Sequence, residues 1–255
     1  MSLLFGLPSK GRIHEETINW LAGAGLALKR TGDGRGYRAS LDGLQGVEVR
    51  LLSASEIASS LEAGAIHAGI TGLDLLHERA GGLGLLVRPL KGLAFARARV
   101  IVAVPEGWVD VETMADLVDV AARHFERTRA RLRVATKFRE LARRFFAEMG
   151  MRDYRIVTSQ GATEGAPASG VADLIVDLME TGATLAANHL KILEDGLILE
   201  SQAVLAGSLA ASWAAESIAT FRKLMGLAGM PVDRAEMFAS AVEAQIKPSS
   251  QGAPA

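Results

Sequence analysis

The chain contains no cysteine among its 255 residues, so disulfides, zinc–thiolate centres and iron–sulfur clusters are excluded. It also lacks a surplus of positive charge: 28 basic and 29 acidic residues leave a formal net charge of -1. A general nucleic-acid binder would carry a basic excess; a local basic pocket for a small anion is compatible with this balance. No window approaches the roughly 20 uninterrupted apolar residues that a membrane-spanning helix needs. Met1 to Arg12 lack a basic stretch followed by a long apolar one, so no signal peptide is expected and the chain is expected to be cytoplasmic. What is present is apolar: 49% of the residues are hydrophobic, enough for a full core without covalent staples. At about 100–200 residues per domain the length suits one large domain or two small ones.

Short apolar runs alternate with helical patterns throughout. Leu3–Leu7, Val47–Leu52, Ala65–Ile70, Val100–Val104, Leu132–Ala135, Arg155–Thr158, Leu174–Val176 and Val204–Ala206 read as strands bounded by Gly, Pro or Ser. Ser53-Ala-Ser-Glu56 has capping-box spacing, with Ile57 and Leu61 following at helical intervals. Phe138, Leu141, Ala142, Phe145 and Met149 form one apolar stripe, closed by Gly150 at a C-terminal cap. This alternation predicts an α/β protein with a parallel sheet and helices on both faces. Thr31 to Gly46 reads as a mobile loop or irregular hairpin. The arginines at 123, 127, 129, 131 and 133 read as a solvated helix end, or alternatively as a basic patch for a partner. The tail from Lys247 is expected to be disordered. No internal repeat is evident.

Asp173-Leu-Ile-Val-Asp177-Leu-Met-Glu180-Thr181-Gly182-Ala183-Thr184 carries the most chemistry. An apolar strand ends in an acid, a Thr-Gly-x-Thr turn follows, and a helix starts at or just after Thr184. Gly182 permits close approach of the backbone to a ligand or a positive φ. Free N–H groups at the helix start and two threonine hydroxyls make a cradle for a phosphate. Asp177 and Glu180 would repel that phosphate but suit ribose hydroxyls or a magnesium ion. An acid before a phosphate cradle describes a ribose 5-phosphate, at the sheet edge where ligands bind in open α/β folds. The competing reading is that Thr181 and Thr184 only cap a helix.

Pro8-Ser9-Lys10-Gly11-Arg12 lies between the first strand and a helix bearing Glu15 and Glu16. Ser9 is the expected N-cap, and Lys10 and Arg12 add positive charge to a helix start that already favours anions. The loop suits a triphosphate or pyrophosphate; an ordinary capped turn with exposed basic residues is the alternative. The Gly-x4-Gly-Lys-Ser/Thr spacing of a Walker A loop is absent. A third loop, Gly69-Ile-Thr71-Gly72-Leu-Asp74, also follows a strand and opens a helix.

Taken in order, these segments resemble the ATP phosphoribosyltransferase family. The resemblance runs through Pro8–Arg12, Ala68–Asp74, Arg99–Pro105, Val134–Lys137, Gly161–Glu164, Ala172–Asp177, Thr181–Leu185 and Ala187-Asn188, and covers about Leu3 to Ala206. It implies two α/β lobes with parallel or mixed sheets flanked by helices, like type II periplasmic binding proteins, and an active site in the cleft between them. Lobe I would comprise residues 1–103 and 188–228, lobe II residues 104–187, and residues 229–255 a short helix and tail. The implied reaction transfers the 5-phosphoribosyl group of phosphoribosyl pyrophosphate to N1 of ATP, with magnesium carried on the substrate phosphates and no residue assigned to a resident metal. Thr181, Gly182, Ala183 and Thr184 would hold the 5-phosphate, and Asp177, with Glu180 beside it, the ribose. Ser9, Lys10, Gly11, Arg12, Arg50, Thr71 and Glu164 would line the nucleotide and pyrophosphate regions. Asp177, Lys10 and Arg12 are the residues expected to matter most for turnover.

The pattern departs from the family in three places. Ser53-Ala-Ser-Glu-Ile57 replaces Arg-Pro-x-Asp-Ile, removing an arginine associated with leaving-group contact; Arg50 is the candidate substitute. His67 stands in place of a usual acidic-leucine pair and is expected at a strand surface, and His189 replaces a glycine. Past Ala206 the chain holds too little for another domain, so it is expected to be the short form. That form implies a regulatory subunit resembling histidyl-tRNA synthetase, together with homo-oligomer contacts. Two alternatives stay open: a phosphoribosyltransferase for another base, which would normally show two adjacent acids where Asp177-Leu178 stands, and a two-lobed module that binds a ligand without catalysis.

Overall fold

Strand and helix boundaries follow local signals in the sequence. The computed structural model describes residues 2–30, 37–79, 84–159 and 161–246. Its first part runs β1 (Leu3–Pro8), α1 (Arg12–Gly23), β2 (Ala27–Arg30), β3 (Arg38–Asp42), β4 (Val47–Leu52), α2 (Ala54–Glu62), β5 (Ala68–Gly72), α3 (Leu73–Glu78) and β6 (Val87–Gly92). Next come β7 (Ala98–Pro105), α4 (Met114–Thr128), β8 (Leu132–Thr136), α5 (Arg139–Glu148) and β9 (Tyr154–Thr158). A 3-10 turn (Thr163–Gly165) leads into β10 (Leu174–Met179), α6 (Ala183–Ala187) and β11 (Leu190–Ser201). The chain then passes through β12 (Ala203–Ser208), α7 (Ala215–Leu227) and α8 (Val232–Ile246). Among the described residues no helix is long and apolar enough to cross a membrane. The tail from Lys247, expected to be disordered, lies outside them.

The chain divides into two units, one made of residues up to Ala96 with those from Gln202 onward, the other of Arg97–Ser201. These boundaries differ from the 103/104 and 187/188 divisions read from sequence. The reason is strand pairing: β7 is hydrogen-bonded to β10 on one side and β11 on the other, so a cut after residue 103 would split a strand from its own ladder.

The first unit holds a seven-stranded sheet in the order β2-β3-β4-β1-β5-β12-β6. It is mixed rather than parallel: β1 runs parallel to β4 and β5, while β12 is antiparallel to β5 and β6. Of the two readings of Thr31 to Gly46, the hairpin agrees with the strand pairing: β3 lies antiparallel to both β2 and β4; residues 31–36 lie outside the described residues. Alternation distributes the core. Leu3, Phe5 and Leu7 face a cluster with Leu21, Phe221 and Phe238, whereas Leu4 packs with Ile57, Leu61 and Ile66 on the other face. The capping box at Ser53 is present, with Glu56 N–H on Ser53 Oγ at 3.2 Å and Ser53 N–H on Glu56 Oε2 at 2.8 Å. Helix α8 corrects the expectation of a short appended helix: its 15 residues bury Phe238, Ala239 and Val242 in the first unit's core.

His67 is likewise not at a strand surface but buried, 3% exposed. Its Nδ1 accepts from Leu4 N–H at 2.9 Å, so the proton sits on Nε2, which donates to Ser212 O at 3.0 Å. Burial, partly opposed by the Ser212 bond, depresses its pKa below the ordinary 6.5. The unfolded chain therefore takes up this proton more readily than the folded one. The contribution to stability is complete above pH 6.5 and is lost as pH falls below it towards the depressed folded value, at up to about 1.4 kcal/mol per pH unit. Urea denaturation at pH 7 and pH 5 is expected to show this loss, and His67→Gln to flatten it. An unchanged slope in the variant would assign the acid sensitivity to other groups.

The second unit holds a five-stranded sheet in the order β11-β7-β10-β8-β9. Here β10 is parallel to β8 and antiparallel to β7, and β9 is the parallel edge strand beside β8. The start of β10 is clamped to β8 by Asp173, whose carboxylate takes Arg133 N–H at 2.7 Å and the guanidinium at 2.8 and 3.2 Å. Arg133 thus leaves the solvated helix end expected of residues 121–133. Helix α4 stops at Thr128, with Arg129 in the left-handed region at φ 57°. Phe145 and Phe146 both turn inward from α5, while Met149 lies 38% exposed.

Candidate active site

In the second unit β10 carries Asp177 two residues before its end rather than at it, so the acid sits within the ladder opposite Ile101. Glu180 and Thr181 turn the chain, Gly182 adopts φ 82°, and α6 begins at Ala183, one residue earlier than expected. The left-handed φ explains the glycine, since a side chain there is strained; a Cβ would also meet Met179 Sδ at 3.4 Å.

The capping alternative does not account for the threonines. The N-cap of α6 is Gly182, which has no side-chain cap bond. Thr181 Oγ1 reaches Ala183 N only at 3.5 Å, the outer limit of a hydrogen bond. Thr181, Ala183 and Thr184 are exposed, leaving hydroxyls and first-turn N–H groups facing outward.

Asp177, Glu180, Thr181, Gly182 and Thr184 line one pocket of about 340 Å³ together with Glu164 and Met179. Glu164 arrives from the 3-10 turn, which follows Gly161 (φ 110°) and Ala162 (φ 47°). Burial pushes the Asp177 carboxyl above its ordinary range; the Leu178 N–H and the Lys137 charge oppose this and Glu164 adds to it. Oδ1 accepts from Leu178 N–H at 2.8 Å. A half-buried carboxylate with one such bond gains from further donors, and a vicinal diol supplies two. Lys137, just past β8, acts on Asp177 through its charge and is absent from the residues expected at the site. Its signal was available: β8 is parallel to β10, so the two strand ends share an edge.

The candidate residues of the first unit lie from the end of β1 to the start of α1, on β4 and on β5. The N-cap of α1 is Gly11, at φ 79°, and not Ser9, whose N–H instead donates to Leu52 O at 2.8 Å. Lys10 is exposed and lies near α2, where its charge adds a little to the Ser53 hydrogen bonds that hold Glu56 below its ordinary carboxylate range. Arg12 pairs with Glu16 at 3.1 Å. Arg50 sits two residues back along the strand, opposite Gly6, with Glu48 at 3.3 Å.

Thr71 is a correction. Its hydroxyl is fully buried and donates to Ala54 O at 2.7 Å, tying β5 to the start of α2 instead of facing a ligand. The third loop is not a loop either, because β5 runs directly into α3. His189 stands exposed at φ 54°, 3.8 Å from Glu106.

Comparison with known proteins gives one answer. Residues 53–226 match the family model described as ATP phosphoribosyltransferase. Curated proteins of that name include one from Caulobacter vibrioides (strain NA1000 / CB15N), 52% identical over 225 residues, covering 88% of this chain and 70% of the relative. Another, from Rhodopseudomonas palustris (strain BisB18), is 50% identical over 222 residues, covering 87% and 68%. The solved structure of an ATP phosphoribosyl transferase (HisG:HisZ) complex from Thermotoga maritima matches with a TM-score of 0.65 over 95% of this chain and 99% of that one. At 22% identity it speaks for the fold. With half of the residues shared across most of the chain, this chain belongs to the ATP phosphoribosyltransferase family, the pentosyl-transferring enzymes of the first step of histidine biosynthesis.

Proposed function

We propose that the pocket of the second unit holds the phosphoribosyl group of phosphoribosyl pyrophosphate while N1 of ATP displaces pyrophosphate from the anomeric carbon. One observation carries this reading: Asp177 and the Glu180–Thr184 turn open onto the same pocket. Thr181, Gly182, Ala183 and Thr184 bind the 5-phosphate through hydroxyls and N–H groups. Asp177 accepts from the ribose hydroxyls, with Glu164 and Lys137 beside it. Lys10, Gly11 and Arg12 bind nucleotide or pyrophosphate oxygens.

The purine nitrogen is a competent nucleophile and pyrophosphate a stable leaving group, so no side-chain nucleophile is required. The protein contributes orientation, which lowers such barriers by roughly 7–11 kcal/mol in favourable cases, and fixed dipoles and cations where charge develops. Among the described residues no three His, Asp or Glu side chains are placed to hold a metal ion by themselves. One or two carboxylates together with substrate phosphates are the usual magnesium environment. Magnesium would come with the substrates, where its charge would offset that of the departing pyrophosphate.

A regulatory subunit of the kind named in the Thermotoga maritima complex is proposed to confer histidine inhibition on this chain, acting in the cytoplasm. Purified protein mixed with ATP, phosphoribosyl pyrophosphate, magnesium and pyrophosphatase is expected to form phosphoribosyl-ATP, followed by its ultraviolet absorbance. Absence of product from folded protein, with the synthetase-like subunit added, would transfer the assignment to another base or to ligand binding alone.

A further inference from the structure

The second unit carries another strongly charged feature. A groove of about 480 Å³ runs beside edge strand β9 and α5, lined by Arg131, Arg139, Arg143, Arg152, Arg155 and Tyr154, with no carboxylate among its lining residues. Arg139 and Arg143 stand one helical turn apart on α5, a like-charge spacing that works against the helix. Arg155 lies in register with Arg133 on β8, but Asp173 serves Arg133. Arg143 has Glu140 at 2.6 Å. Among the described residues Arg139, Arg152 and Arg155 have no ion pair, and all five arginines are exposed. The chain as a whole has a net charge of -1, so this concentration of positive charge is local and not part of a generally basic surface.

We propose that this groove is a second anion site that takes a small polyphosphate-bearing molecule. It shares no lining residue with the Asp177 pocket, and β8 separates their strands. Its volume falls within the roughly 300–1,000 Å³ of small-molecule sites. Guanidinium forks bind phosphate oxygens two at a time and hold their charge at every physiological pH. A nucleic acid would need a longer basic track than one groove on a chain with no basic surplus.

Inorganic tripolyphosphate titrated into the intact protein at low salt, followed by calorimetry, tests the proposal. Two classes of site are expected. Arg152→Ala/Arg155→Ala removes one class, with affinity falling about tenfold or more per arginine, and leaves phosphoribosyl transfer at its basal rate. Thr184→Val is expected to weaken the other class and to spare this one. Arg139→Ala/Arg143→Ala repeats the test from the helix side if the first pair fails to fold by circular dichroism. Guanosine triphosphate distinguishes the sources: equal affinity means that only the phosphates are read, and tighter binding means that a nucleotide is the ligand, with its base against Tyr154. Tripolyphosphate binding unchanged in both arginine pairs, or lost entirely in Thr184→Val, would overturn the site. Displacement of tripolyphosphate by poly-glutamate at lower charge concentration would overturn it in favour of an acidic protein surface.

Discussion

Asp177→Ala is expected to lower kcat/KM by about a hundredfold to ten-thousandfold, because on the proposed ribose assignment it removes an acceptor for two hydroxyl donors at about 1.5–3 kcal/mol each. The fold should survive. Burial pushes the Asp177 carboxyl above its ordinary value, so its ionisation opposes folding. The stability it allows is full below the unfolded pKa and diminishes as pH rises through the folded one. At pH 7 the substitution relieves that opposition, and the variant should unfold at the same urea concentration as the parent or higher. Steady-state kinetics together with urea denaturation separate the roles. Near-normal turnover would end the ribose assignment, while lost turnover with a large loss of stability would make Asp177 a structural residue. Asp177→Asn sharpens the test by preserving shape while converting one acceptor oxygen into a donor.

Phe238→Ala is expected to destabilise the first unit by about 3–5 kcal/mol, the usual cost of deleting a buried phenyl ring. The side chain is 2% exposed and packs at 5.2 Å from Phe221 and 5.8 Å from Trp213, measured between ring centroids. Gly207 in β12 makes the room, since a Cβ there would stand 2.4 Å from Phe238 Cζ. A loss of this size is a large fraction of a typical domain stability of roughly 5–15 kcal/mol. Trp213 fluorescence reports it directly during urea denaturation, because that indole lies against the deleted ring and is held by its Nε1–H on Ser208 O at 2.9 Å. A change below about 1 kcal/mol would mean that α8 adds little to the core. Kinetic effects should follow the folded fraction, as Phe238 lies within the first unit's hydrophobic core.

What could be read from the linear chain was whatever depends on neighbours along it. The capping box at Ser53, the apolar face of α5, most of the strands and the Asp177–Thr184 segment are local patterns, and each recurs in the structure. Short-range sterics and periodicity generate them. Other features rested on partners remote in sequence. The direction of β12 and the cohesion of β7 with β11 come from ladders between distant segments, and so does the division of the chain into units. His67 looks like a surface histidine until Leu4 and Ser212 close around it. Thr71 looks like a ligand donor until the Ala54 carbonyl takes its hydroxyl, and the arginines of α5 and β9 form one groove only because α5 packs beside the edge strand. The family, the α/β class and the Thr-Gly-x-Thr turn were legible in the chain because they are written in contiguous residues. Tertiary structure alone decided which polar groups stay available to a ligand, because a side chain's availability depends on which distant backbone groups reach it first.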